Sequence, residues 1–186
     1  MIATLTGKII GKTPTSLTID CAGIGFMVYV PVTLSQHVKL DQQIKLLIQL
    51  VFAHNKIEFY GFASEEEKDI FNNIISVKGV GARAALNLLS RLSPQEIKTA
   101  IEARNLQIFK TIPGIGPKKA ERIIFYLKKS SEETNRIPEN CRELYQALNN
   151  LGFSRKEINE RLSRIPDWTT KPITEVIQLV LKQRDR

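Results

Sequence analysis

Two Gly-x-Gly turns constrain this chain more than any other feature. Gly79 and Gly81 lie in "VKGVGARAA" (residues 77–85), Gly114 and Gly116 in "IPGIGPKKA" (residues 112–120), and the two strings are offset by 35 positions. Each turn follows a helical pattern and opens directly into another, "ARAALNLLSRL" or "PKKAERIIFYLKK". Basic residues occupy the first turn of each new helix: Arg83 in one copy, Lys118 and Lys119 in the other. Glycine here admits positive φ and lets the backbone approach a partner closely. The helix start that follows offers unpaired N–H groups and the positive end of its dipole, which suits a phosphate. A neighbouring lysine or arginine adds charge that is blind to base sequence. Such a device holds a nucleic-acid backbone without reading bases.

Three other readings compete. "GVGARA" has the spacing of a dinucleotide fingerprint, but that fingerprint needs a preceding strand, and here a helix precedes it. Neither copy fits G-x-x-x-x-G-K-[ST], so the phosphate loop of a nucleotide hydrolase is absent. The plainest reading is a tight helix-to-helix turn with lysines on a wet face. One copy alone would leave that reading open; two copies in the same basic segment weigh against it. Residues 63–130 carry 12 basic and 7 acidic side chains, whereas residues 1–62 carry 5 and 3, and residues 131–186 carry 10 and 9. Most of the chain's net charge of +8 therefore sits beside the glycine turns.

The first sixty residues read as strands. "ATLTGKII", "SLTIDCAG", "GFMVYVPV", "IKLLIQLVFA" and "KIEFYGF" are β-branched or aromatic runs, several alternating in polarity. Short strands at this spacing predict a small barrel, closed or partly closed, with an OB-type barrel as the leading candidate. The character changes at Ser64. "SEEEKDIFNNIISV" carries an N-cap serine, three acids in the first turn, and apolar residues at helical spacing. Short helices broken by glycine or proline follow to about residue 129. "KSSEETNRIPEN" has no apolar period and reads as a linker. Three helical patterns close the chain, "CRELYQALNNLGF", "SRKEINERLSRI" and "PITEVIQLVLKQ", enough for a small three-helix bundle. The fold class expected is α+β and multidomain: barrel over 1–63, helical DNA-binding domain over 64–129, linker over 130–139, three-helix domain over 140–186.

Several classes are excluded or disfavoured. No apolar run approaches the roughly 20 residues needed to span a bilayer. The N-terminal "MIATLTGKII" lacks the layout of a signal peptide. Cys21 and Cys141 lie too far apart to suggest a metal spacing or a disulfide framework, and cytoplasmic residence is the expectation. Carboxylates sit mainly in "SEEEKD" at a helix start, and no Ser-His or His-Cys constellation is visible, so neither catalytic residues nor a metal or cofactor are expected.

The two glycine strings resemble the helix-hairpin-helix motif of DNA-binding proteins. The ordered combination of barrel, two hairpins, linker and three-helix tail resembles, over essentially the whole chain, the RuvA family of Holliday-junction-recognition subunits. The strings that carry the likeness are "FYGF" (59–62), the two hairpins, and "ALNNLGFSRKEI" (147–158). The resemblance implies a non-catalytic homotetramer, or two tetramers, holding a four-way DNA junction open during recombination and repair. It implies a tail that binds the RuvB AAA+ ATPase, with the resolvase RuvC in the same complex. Gly79, Gly81, Arg83, Gly114, Gly116, Lys118 and Lys119 are carried over as DNA contacts. Pro117 stands where another lysine would add a donor. Leu148, Leu151 and Phe153 resemble the motor-docking surface, against the plain alternative of bundle core. In the family, the turn before the "YGF" strand usually carries two adjacent acids that act as a negative pin at the junction centre. Here His54 and Asn55 stand there, so a neutral or weakly positive pin is expected. Two rivals remain: an architectural helix-hairpin-helix protein without a motor partner, and a repair enzyme using the hairpins only as an anchor.

Overall fold

The computed structural model describes residues 2–53, 55–135 and 141–183. Two compact units emerge, Met1–Ser130 and Ser131–Arg186, each with its own apolar core.

The first unit begins with five strands: β1 (Thr4–Lys12), β2 (Ser16–Cys21), β3 (Ile24–Tyr29), β4 (Gln43–Ala53) and β5 (Lys56–Phe62). They close into a barrel in the order β1-β2-β3-β5-β4, with β1 returning to β4. The β3–β5 pairing is parallel and all the others are antiparallel. This is the expected OB-like barrel. Alternation explains it: Leu5 and Ile9 of β1, Leu17 and Ile19 of β2, and Leu46 and Ile48 of β4 point inward, with their neighbours facing out. Closure leaves no free sheet edge. A short helix that periodicity did not reveal, α1 (Val32–His37), bridges β3 and β4.

Five helices follow: α2 (Glu65–Ile75), α3 (Ala82–Leu89), α4 (Pro94–Glu102), α5 (Leu106–Lys110) and α6 (Pro117–Asn135). Their starts are written in the sequence. The Ser64 hydroxyl accepts from the Glu67 N–H, and Ser93 with Glu96 forms a reciprocal capping box. Strand β5 ties barrel to helices: Tyr60 and Phe62 enter the helical core, each with its ring centroid 4.9 Å from that of Phe71. The Val32 N–H adds a hydrogen bond to the Ser90 hydroxyl at 3.0 Å.

Residues 130–135, expected as linker, instead continue α6. No glycine or proline interrupts them, and a helix normally stops short of a proline, here Pro138. The remaining linker residues, 136–139, lie outside the described residues.

The second unit holds α7 (Arg142–Asn150), α8 (Arg155–Leu162) and α9 (Ile173–Lys182) around Leu144, Leu148, Ile158, Leu162, Ile165, Val176 and Val180. Helix α7 ends in a Schellman turn. Gly152 has φ +94°, its N–H donates to the Asn149 carbonyl, and the Phe153 N–H donates to the Leu148 carbonyl at 3.2 Å. Ser154 and Glu157 then box the start of α8. So small a core is held by few contacts.

Candidate nucleic-acid interface

The two hairpins have one backbone. In the first, the Val77 N–H donates to the Ile74 carbonyl and the Val80 N–H to the Val77 carbonyl. In the second, Ile112 donates to Phe109 and Ile115 to Ile112, all at 3.0–3.2 Å. Gly79 and Gly114 follow with φ of +87° and +88°. These first glycines are needed by the turn itself, because the left-handed region penalises any Cβ. Gly81 and Gly116 then precede α3 and α6. Their carbonyls accept from Ala84 and Ala85, and from Lys119 and Ala120. Val80 and Ile115, between each pair of glycines, are buried anchors.

The second glycines behave differently from the first. Gly81 has φ −91° and ψ 165°, open to any residue, and Gly116 is not in the positive-φ region. A Cβ built on either would meet no atom within 4 Å. Among the described residues, nothing packs where a side chain at these two places would begin. Both also border bare donors: among the described residues, the N–H groups of Gly79, Gly81, Ala82 and Arg83, and of Gly114, Gly116 and Lys118, donate to nothing. Each hairpin therefore presents a glycine-surfaced loop with unpaired amides at a helix start, a concavity suited to an anion.

Side chains complete the site unequally. The exposed Arg83 lies with its guanidinium carbon 5.8 Å from the centre of the Tyr29 ring, so the barrel props the first hairpin's cation. Beneath it, Val51, Ala53, Glu58, Tyr60, Ile75 and Val80 line a cleft between barrel and hairpin. There the Tyr60 hydroxyl donates to Glu58 at 2.8 Å. Burial, then this bond to Glu58, pushes the Tyr60 phenol well above its ordinary value, while the nearby Arg83 charge pulls the other way. On the second hairpin Lys118 is exposed and pairs with no described residue, whereas Lys119 is half-buried and donates to the Gly114 carbonyl at 3.0 Å. Lys118 is thus the extended cation of this loop, and Lys119 spends one donor bracing it. Pro117 opens α6 at a position whose N–H would have no intrahelical partner.

Two residues that sequence reasoning missed join the loops. The Asn87 amide on α3 donates to the Pro113 carbonyl at 3.1 Å, and Arg122 on α6 donates to the Lys78 carbonyl at 3.3 Å. The signal was available, since Asn87 and Arg122 are separated by the same 35-residue offset as the glycines.

The other expected positions are scattered. Asn55 forms the β4–β5 turn with φ +60°, between the paired Ala53 and Lys56; His54 lies outside the described residues. Next to the turn, Phe52 is 78% exposed and paired across the strands with Ile57. In the tail, Leu148 is fully buried and presents no surface of its own. Leu151 is exposed, and Phe153 is half-buried under the Arg161 guanidinium, 4.8 Å from its ring centre. Among the described residues no cluster of metal-ligating side chains occurs, and no helix is long and apolar enough to cross a membrane.

Comparison with known proteins agrees with this architecture. Residues 1–61 match the RuvA N terminal domain family, and residues 71–129 match the SAM-like Helix-hairpin-helix tandem family. A protein of Rickettsia typhi named Holliday junction branch migration complex subunit RuvA is 36% identical over 199 residues, covering 100% of this chain and 98% of its own. Proteins of the same name from Cupriavidus necator and Syntrophotalea carbinolica are 34% and 28% identical, each covering 98% of this chain and 97% and 98% of their own lengths.

Proposed function

The chain belongs to the RuvA family, and from that premise we propose that it binds four-way DNA junctions through its two hairpins, as the non-catalytic subunit of a branch-migration complex. The observation that carries this reading is the pair of second glycines. Gly81 and Gly116 are spared a side chain that the fold would tolerate, beside amides that lack partners. A phosphate approaching both loops explains both facts. Because the donors are main-chain N–H groups and the cations Arg83, Lys118 and Lys119, recognition is of backbone shape and charge, not base sequence. Affinity then falls steeply with salt as counterions are released.

In this reading the chain assembles as a homotetramer, singly or as two tetramers enclosing the junction, in the cytoplasm, with RuvC acting on the same DNA. The tail recruits the RuvB motor, whose ATP hydrolysis drives branch migration. Leu151 and Phe153 form the docking surface, and Leu148 holds it up from beneath. Asn55, with His54, supplies a turn at the junction centre that lacks carboxylates.

The test is a titration of the full chain against a four-way junction and a linear duplex at matched salt, with the mass of each complex measured by light scattering. Preferential junction binding by a four-fold multiple of the chain is expected. Equal affinity for the two DNAs, or binding as a monomer, contradicts the proposal. Introducing His54→Glu with Asn55→Asp should raise the preference for the junction; an unchanged preference removes the turn from the junction centre.

A further inference from the structure

The two hairpins are joined by contacts that obey the same offset as the hairpins themselves. Asn87 stands eight residues after Gly79, and Arg122 stands eight residues after Gly114. Asn87 donates to the carbonyl of Pro113, the residue before Gly114, and Arg122 donates to the carbonyl of Lys78, the residue before Gly79. Each helix thus clasps the loop of the opposite hairpin. The packing is crossed in the same way. A Cβ on Gly79 would come nearest to Arg122, at 3.6 Å from Nη1, and one on Gly114 nearest to Ala84 of α3, at 3.4 Å from its Cβ.

The consequence follows from peptide geometry. A trans peptide is planar, with its C=O and N–H pointing in opposite directions. Holding the Lys78 carbonyl toward α6 therefore turns the Gly79 N–H away from the seam between the hairpins. Holding the Pro113 carbonyl toward α3 does the same for the Gly114 N–H. Both of these amides are among the unpaired donors. A loop entering a positive-φ glycine has an intrinsically soft peptide plane, and one side-chain hydrogen bond is enough to bias it.

We propose that Asn87 and Arg122 are reciprocal positioning residues: each, from the helix of its own hairpin, sets the phosphate-binding loop of the other. This rests on the reading of the loops as phosphate grips and adds how they are kept in register. Because the clasp is crossed, damage to one helix is felt at the opposite loop. Asn87 is neutral, so removing it subtracts no counterion release of its own.

The experiment is a pair of double-mutant cycles on the full chain, reading four-way junction affinity as a function of salt. In the unsubstituted chain, Arg83→Ala and Lys118→Ala should each lower the salt slope by about 0.9. Asn87→Ala should weaken binding by about threefold to tenfold, the scale of one hydrogen bond. In that background Lys118→Ala should have little further effect, while Arg83→Ala keeps its full effect. Arg122→Ala should show the mirror pattern, silencing Arg83→Ala and sparing Lys118→Ala. A merely structural role would blunt both cations alike. Thermal midpoints of the single variants check that folding is retained, as expected for side chains at the surface of their helices. Effects that simply add in every background overturn the clasp alone. Loss of neither cation mattering in the unsubstituted chain overturns the phosphate reading, and the clasp with it.

Discussion

The first and second hairpins share their turn geometry and the crossed Asn87–Arg122 clasp, and differ in how their cations are fitted. Both have a left-handed first glycine, a buried aliphatic anchor, a second glycine with open space above it, and a helix start with bare amides. Around that common frame the first hairpin leans on the barrel, its Arg83 lying over the Tyr29 ring and lining one cleft with Glu58 and Tyr60. Among the described residues, the cations of the second hairpin make no such contact with a barrel ring. That hairpin opens on Pro117, folds Lys119 back onto its own loop, and leaves Lys118 extended. The repeated part is the part a repeating polymer would meet. The unrepeated part answers to whatever each hairpin has behind it.

The largest expected effect tests how far the frames are alike. Gly79→Val and Gly114→Val should each destabilise the first unit by at least the roughly 1–2 kcal/mol that a left-handed residue with a Cβ costs. Gly114→Val should cost more, because its Cβ faces Ala84 of a packed helix, whereas that of Gly79 faces a flexible guanidinium. Thermal unfolding of the two variants measures the difference, and equal losses would mean that the loops relax alike. Next in size are the cations. Arg83→Lys should weaken junction binding, since a lysine replaces the delocalised guanidinium that lies over the Tyr29 ring, while Lys118→Arg should leave it near the original value. Fluorescence anisotropy at several salt concentrations separates the two, and identical responses would erase the asymmetry. The smallest effect is at Tyr29 itself. Tyr29→Leu removes a cation–π contact of about 0.5–1 kcal/mol and should weaken binding about twofold to fivefold. The effect of Lys118→Ala should be untouched in that background.

Much of this was legible in the sequence because the local signals agreed with one another. Alternation gave the five strands, the N-cap serine placed the start of α2, and the glycine strings placed both hairpins. What escaped had weak or misleading local signals. Helices α1 and α5, of 6 and 5 residues, are too short to show a period. The end of α6 lacks an apolar stripe, so its polar run looked like linker although nothing in it breaks a helix. Leu148, Leu151 and Phe153 form one string whose members have different fates: Leu148 lies on the core face of α7 and is buried, whereas Leu151 at the helix end is exposed. At the hairpins the residue types were readable, but their engagement was not. No one-dimensional pattern shows that Lys119 is tied to Gly114, or that Arg83 rests on a barrel tyrosine some fifty positions earlier. Asn87 and Arg122 share the offset of the glycines, but their partners are main-chain carbonyls, which carry no residue identity, so the offset alone did not mark them.

If the second glycines are kept bare for a partner outside the protein, filling both should cost binding without costing stability. Gly81→Ser with Gly116→Ser places a favoured helix-capping residue at each position, in space the fold leaves empty. The thermal midpoint should hold or rise, while affinity for a four-way junction falls by about tenfold, on the order of 1.4 kcal/mol. Unchanged affinity at unchanged stability would contradict the account, because it would show that nothing comes close to either loop.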